Sequence, residues 1–157
     1  MQAAIDCVDK HVVKMPLETA QMMWTALHRH DETLIDKKPV EGPMVSMFYG
    51  ATHKGHPCTI WCGDTRTNFA WLYRHGLALC AEYERRYYKK HKSLKAIKHA
   101  WTFREIIPVG ALTPFAQAMP DEYKCPGDAV KAYRAYYHGE KYKFAKWHHG
   151  PPDWWTK

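Results

Sequence analysis

The sequence predicts a mainly α-helical fold: a single compact domain, 1–157, of three or four helices joined by long ordered loops. Three observations carry this. Two long stretches, His11–His28 and the segment from Arg66 onward, repeat apolar residues every three or four positions, the period of a helix packed on a core. Between and after them, prolines and glycines interrupt any regular element. The length of 157 residues suits one domain with a real core and is short for two.

The first helix is expected over HVVKMPLETAQMMWTALH, His11 to His28. At ~100° per residue, His11, Lys14, Glu18, Gln21, Thr25 and His28 share one arc of roughly 100°. Val12, Val13, Met15, Leu17, Ala20, Met22, Met23, Trp24 and Leu27 fill most of the rest. Any amphipathic helix turns such a stripe to water. Here the apolar arc is wider than a surface helix needs, and the stripe mixes His, Lys, Glu and Gln, as a face shown only to a cleft would. Pro16 either kinks this helix or sits in the first turn of a new one.

DETLIDKKPVEGPMV then reads as a loop. SMFYGATHKGHPCTIWCGDTRTN reads as mainly irregular, with a short extended segment at CTIW, the kind of loop that carries function on a rigid scaffold. From Arg66, residues Phe69, Leu72, Tyr73, Gly76, Leu77, Cys80, Tyr83 and Tyr87 mark a long amphipathic helix. Glu105–Gly127 contains Pro108, Pro114, Pro120 and Pro126, so it should wrap the surface as an ordered loop. Asp128 looks like an N-cap for a last helix in which Val130, Tyr133, Tyr137, Phe144 and Trp147 keep approximate helical spacing to the end of AKWHHG, with Gly139 weakening its middle. The tail HHGPPDWWTK ends in paired tryptophans, either core anchors or an exposed stacking surface.

No apolar run approaches the ~18 residues of a membrane span, and no signal-peptide pattern opens the chain. A soluble, cytoplasmic monomer is expected. The net charge of +7, with many aromatics, fits a polyanion binder, because Lys and Arg displace counterions from phosphates while Trp and Tyr stack on bases. The densest basic run, RRYYKKHKSLKAIKH, supplies Arg85, Arg86, Lys89, Lys90 and Lys92 as candidate DNA contacts, joined by Lys124 and Arg134. Cys7, Cys58, Cys62, Cys80 and Cys125 follow no disulfide or CxxC spacing and are expected as reduced thiols. His53, His56, Cys58 and Cys62 crowd into THKGHPCTIWC, so a zinc-stabilised or metal-dependent module is an alternative.

The phrases CVDKHVVKM, LETAQ, THKGHPCTIW, FAQAMPDEYKCPGDAVKAYRAYY, GEKYKFAKW and PPDWW resemble, over nearly the whole chain, a group of phage proteins related to the pyrimidine-dimer DNA glycosylases of the phage endonuclease V type. The link to the characterised glycosylases is looser: a His and a Glu seven residues apart on one helix (His11, Glu18), a Gly-His loop before a long helix (Gly55, His56), the phrase PDEYK, and a proline-aromatic tail. The resemblance implies a small basic helical protein that binds damaged duplex DNA, breaks the glycosidic bond without metal or other cofactor, and cleaves the strand through an imine. The host cytoplasm would be its location if it is phage-encoded.

By position, Glu18 would be the supporting carboxylate, with His11 two turns before it. The amine would be that of Met1 or the side chain of Lys14, which shares the stripe one turn from Glu18. In the phage group a short strand precedes the segment matching MQAAIDCVDKH, so Met1 would correspond to an internal position of that group. In the family the Glu is flanked by arginines; here Leu17 and Gln21 occupy those places, so Gln21, His56, Arg66 and Asn68 are the expected substrate contacts. His56 and Asn68 are expected to face the same cleft as Glu18. The remaining alternative is a non-catalytic nucleic-acid-binding phage protein of the same fold.

Overall fold

The computed structural model describes residues 2–37, 41–42, 44 and 47–156. They form six α-helices: α1 (Gln2–Ile5), α2 (Asp9–His30), α3 (Pro57–Asp64), α4 (Arg66–Tyr87), α5 (Leu94–Thr102) and α6 (Ala129–Gly139). Five are longer than two turns, against the three or four helices expected. Short 3-10 turns occupy Glu32–Lys37, Arg104–Ile106, Asp121–Tyr123 and Lys141–Phe144.

The long pair α2 and α4 runs antiparallel, with Asp9 beside Arg86 at one end and Ala26 beside Gly63, just ahead of α4, at the other. Gly76 sets how closely they approach: a Cβ there would lie 2.6 Å from Thr19 Cγ2 and 3.3 Å from Ile97 Cδ1 of α5. The core on this contact gathers Met23, Trp24, Leu27, Phe69, Leu72 and Ile97, all buried. Trp24 Nε1 donates to Ala96 O at 3.3 Å, tying α2 to α5. Helix α2 continues through Pro16, which is buried.

The expected extended segment at CTIW is a helix instead. His56 caps α3, its Nδ1 accepting the Cys58 N–H at 3.2 Å, and Pro57 follows in the first turn, where its missing N–H costs nothing. The β-branched Thr59 and Ile60 favour extension only locally, and this cap outweighs them.

The proline-rich stretch after α5 is an ordered wrap, as expected, because side chains at the start of α4 satisfy its backbone. Arg66 donates to Glu105 O and Ile107 O at 3.0 and 3.2 Å, and Thr65 Oγ1 donates to Ala111 O at 2.9 Å. Asp128 caps α6 by accepting the Lys131 N–H at 2.9 Å. The last helix, expected to reach the end of AKWHHG, stops instead at Gly139, where the Tyr123 ring leaves no room for a Cβ, and Phe144 falls in the separate 3-10 turn Lys141–Phe144. The tail tryptophans act as anchors. Trp147 Nε1 donates to Asp6 O at 2.9 Å, Trp154 Nε1 to Asp6 Oδ2 at 2.8 Å, and Trp155 stacks on His138 at 4.6 Å.

Candidate active site

The polar stripe of α2 divides into three parts. At its C-terminal end Thr25 and His28 are buried and hold the loop ahead of α3. Thr25 Oγ1 donates to Thr52 O at 2.8 Å and accepts the Thr52 N–H at 2.9 Å, and His28 Nε2 lies 3.0 Å from Tyr49 O. At its N-terminal end His11 Nδ1 lies 2.6 Å from Tyr137 OH on α6. Between these anchors stand Lys14, Glu18 and Gln21. The Lys14 Nζ meets Glu18 Oε1 at 2.7 Å, with the lysine side chain 71% and the glutamate 33% exposed.

The open strip of α2 is therefore rotated from the stripe. Because α6 covers His11 and the Tyr49–Thr52 loop covers Thr25 and His28, the strip that reaches solvent is Lys10, Val13, Lys14 and Leu17, with Gln21 half-buried. Val13 and Leu17, expected in the buried arc, are 46% and 41% exposed. Leu17 and Gln21 line a depression of about 440 Å³ with Phe48, Tyr49, Gly50 and Thr52.

On its other side Glu18 faces an element distant in sequence. Its charge reaches the Cys58 thiol in the first turn of α3. Burial pushes that thiol up, against a hydrogen bond with Tyr133, whose hydroxyl is 3.9 Å from Cys58 Sγ. His11 is pushed down to about 4, by burial first and then by the Lys141 ammonium, so its imidazole is neutral near neutral pH. Burial pushes the Tyr137 phenol far up, so it keeps its proton. One amine, one carboxylate and one neutral imidazole thus share one edge of α2. A carboxylate 2.7 Å from an ammonium is within reach of its proton.

Other expected site residues lie elsewhere. Asn68 is fully buried; its amide donates to Trp61 O and Thr113 Oγ1, each at 2.8 Å, and its Oδ1 accepts the Thr113 N–H at 3.0 Å. That arrangement takes it out of any cleft, because the polar atoms of its side chain are committed to α3 and to the long loop. Arg66 is committed to the same loop and to Glu105. His56 is exposed at the α3 cap, two residues from Cys58. Met1 lies outside the described residues. Among the described residues no group of three or more His, Cys, Asp or Glu is placed to hold a metal ion. Cys62 is buried, Cys58 turns to Tyr133 and His56 caps its helix, so the zinc reading has no ligand set to stand on.

The basic run also divides. Arg86 is 2% exposed in its side chain and makes four hydrogen bonds, to Glu82, Asp9, Cys7 O and Ile5 O. It clamps α1 and the start of α2 to α4 and is not available to a phosphate. Arg85 is half-exposed but grips Glu82 at 2.8 and 2.6 Å. Lys89, Lys90 and Lys92 are exposed. Lys124 pairs with Asp121 at 2.7 Å, and Arg134 lies over the Trp154 ring at 5.2 Å. Beside the lysines Tyr88 ends α4 with a left-handed backbone (φ 55°) and an 85% exposed ring.

Sequence reasoning missed Tyr137 and Lys141 as neighbours of the stripe. Helical spacing marked Tyr137 only as a core residue of α6, and nothing local ties it to His11, 126 positions away.

A model of the pyrimidine dimer DNA glycosylase family matches residues 6–96, a stretch that contains α2, α3 and α4. Comparison with curated proteins and with solved structures found no match.

Proposed function

Since this chain belongs to the pyrimidine dimer DNA glycosylase family, we propose that it excises damaged or modified pyrimidines from duplex DNA and then cleaves the strand as an AP lyase. Glu18 is the acid/base group, and the Lys14 side chain or the Met1 amine is the nucleophile. The observation that carries this reading is the 2.7 Å approach of Lys14 Nζ to Glu18 Oε1 on the open strip of α2.

The chemistry needs both groups. Glu18 takes a proton from the ammonium, freeing the nitrogen pair to attack C1′ of the target nucleotide. The bond from C1′ to the base breaks, and the base leaves with the bonding pair and the proton that Glu18 had taken, which returns Glu18 to its carboxylate. The nitrogen passes its remaining excess proton to the ring oxygen as the sugar opens, leaving an iminium. Glu18 then takes a proton from C2′, and the 3′ phosphate departs with the C3′–O pair. Water releases the amine. Exposed Lys10 and Lys14 flank this strip with the positive charge a phosphate backbone seeks.

Glu18→Gln keeps shape while removing charge and proton. It should bind lesion-bearing duplex DNA like the parent and lose strand cleavage by on the order of a hundredfold or more. Borohydride should trap a covalent adduct of the parent, with peptide mapping placing it on Lys14 or the terminal amine. Unimpaired cleavage by Glu18→Gln would make the strip a wet helix face. An active parent that never traps would exclude the imine. A parent that binds DNA and cleaves no pyrimidine lesion would support the non-catalytic reading.

A further inference from the structure

His11 and Tyr137 form a built contact on the buried side of the Lys14–Glu18 pair, and Tyr137 lies outside the stretch that the family model matches. The contact is short at 2.6 Å, and both partners are enclosed: Tyr137 is 9% exposed, and the His11 ring packs edge-on against Tyr137 and Phe144 at 5.4 and 5.8 Å. A contact this close between two neutral groups requires one definite proton position.

Proton accounting assigns it. The phenol oxygen also faces the Val8 backbone N–H and the Cys7 thiol. A backbone N–H only donates, so it cannot take the phenol proton. Cys7 Sγ lies 3.3 Å from Ala3 O, which only accepts, so the thiol proton points there. The phenol proton is left with a weak sulfur acceptor or with the imidazole nitrogen at 2.6 Å, and the nitrogen is far the better acceptor. Nδ1 therefore accepts, and the imidazole proton sits on Nε2. Among the described residues nothing pairs with Nε2. It is not sealed in the core either, unlike the orphaned His75 Nδ1 and His99 Nε2.

We propose that Tyr137 is a positioning residue that fixes His11 as an uncharged Nε2–H donor beside the Lys14–Glu18 pair, where it hydrogen-bonds an oxygen of the target nucleotide. The inference rests on the glycosylase reading for that oxygen. A neutral imidazole donor stabilises developing negative charge, as on an opening sugar or a departing phosphate, without repelling the Lys14 ammonium as a cation would. The charged groups that act on His11 are Glu18 and Lys14 of its own helix and Lys141 of the following 3-10 turn, while α6 presents the Tyr137 phenol. With two lysines against one carboxylate, the site itself disfavours a protonated ring.

Nitrogen NMR of the full chain labelled at histidine reads the tautomer directly. His11 should carry its proton on Nε2 and remain unchanged from about pH 8 to about pH 5, below the ordinary histidine range. In Tyr137→Phe, which keeps the ring's burial but removes the hydroxyl, it should exchange between tautomers. Strand cleavage by Tyr137→Phe should fall roughly tenfold in kcat with KM little changed and with an altered pH profile. His11→Ala should fall at least as far, and the double variant no further than His11→Ala alone. A parent His11 protonated on Nδ1, or titrating as an ordinary histidine, overturns the proposal whether or not the variants fold. So does a Tyr137→Phe enzyme with the parent's rate and pH profile. A parent with the expected tautomer and no cleavage of any lesion overturns the glycosylase reading instead, and with it the donor's role.

Discussion

Arg85 and Arg86 are adjacent in sequence and do different work. One guanidinium sits at the surface; the other is enclosed by Glu82, Asp9 and two backbone carbonyls. Burial pushes the Glu82 carboxyl up, but hydrogen bonds from Arg85 and Arg86 outweigh it and hold the carboxyl below its usual range. Arg86→Met would leave a carboxylate that is 4% exposed with only its outer partner, and should cost about 3 kcal/mol in chemical denaturation. Its DNA affinity per folded molecule should match the parent's; a specific loss of binding without loss of stability would return Arg86 to the DNA-contact set. Residue type told that these positions are cationic. Which of them is buried depends on Asp9 and on the Cys7 and Ile5 carbonyls, nearly eighty positions away.

At the scale of elements, the body of α4 from Arg66 onward was legible, and its end within the basic run was not. Thr65 caps it by accepting the Asn68 N–H at 3.1 Å, and the apolar period runs to Tyr87. Its one tight crossing falls at Gly76, so Gly76→Ala should force Thr19 and Ile97 aside and cost roughly 1–3 kcal/mol. A denaturation midpoint equal to the parent's would mean that α2 and α5 yield freely there. The polar side chains of TRTN carry no local mark of whether they meet a ligand or a carbonyl; here Thr65, Arg66 and Thr67 meet carbonyls of the wrap and Asn68 meets the Trp61 carbonyl of α3. The lysines beyond α4 give the opposite test. If Lys89 and Lys90 contact phosphates, DNA affinity should fall with salt at a log-log slope of roughly −0.9 per phosphate, and reversing both charges should flatten it by about two contacts. A slope that stays the same makes them plain surface.

The whole molecule should lose stability in mild acid for a reason built into its interior. His11 and His75 are both pushed down to about 4, chiefly by burial, so each is neutral when folded and takes up a proton only when unfolded over the intervening range. Above ~6.5 both states leave these rings uncharged and the effect vanishes. As pH falls below that value the unfolded chain binds more protons than the folded one, and each histidine should remove roughly 1.4 kcal/mol of stability per pH unit until about pH 4. Denaturant midpoints measured across this window should decline steeply, and His75→Phe should remove about half of the decline. A flat profile would show that these rings are solvated. The contrast between what was and was not readable follows the range of the interactions concerned. Helical period, prolines, caps and net charge are local or additive, so the sequence by itself determined a mainly helical fold with a proline-rich wrap, a basic balance suited to DNA, and the family marked by His11 and Glu18 on one helix. Which part of the α2 stripe remains open was decided only by the tertiary structure. Tyr137 claims His11 from one side and the Tyr49–Thr52 loop claims Thr25 and His28 from the other, and a polar side chain is free for chemistry only where no distant backbone or hydroxyl has already taken its hydrogen bonds.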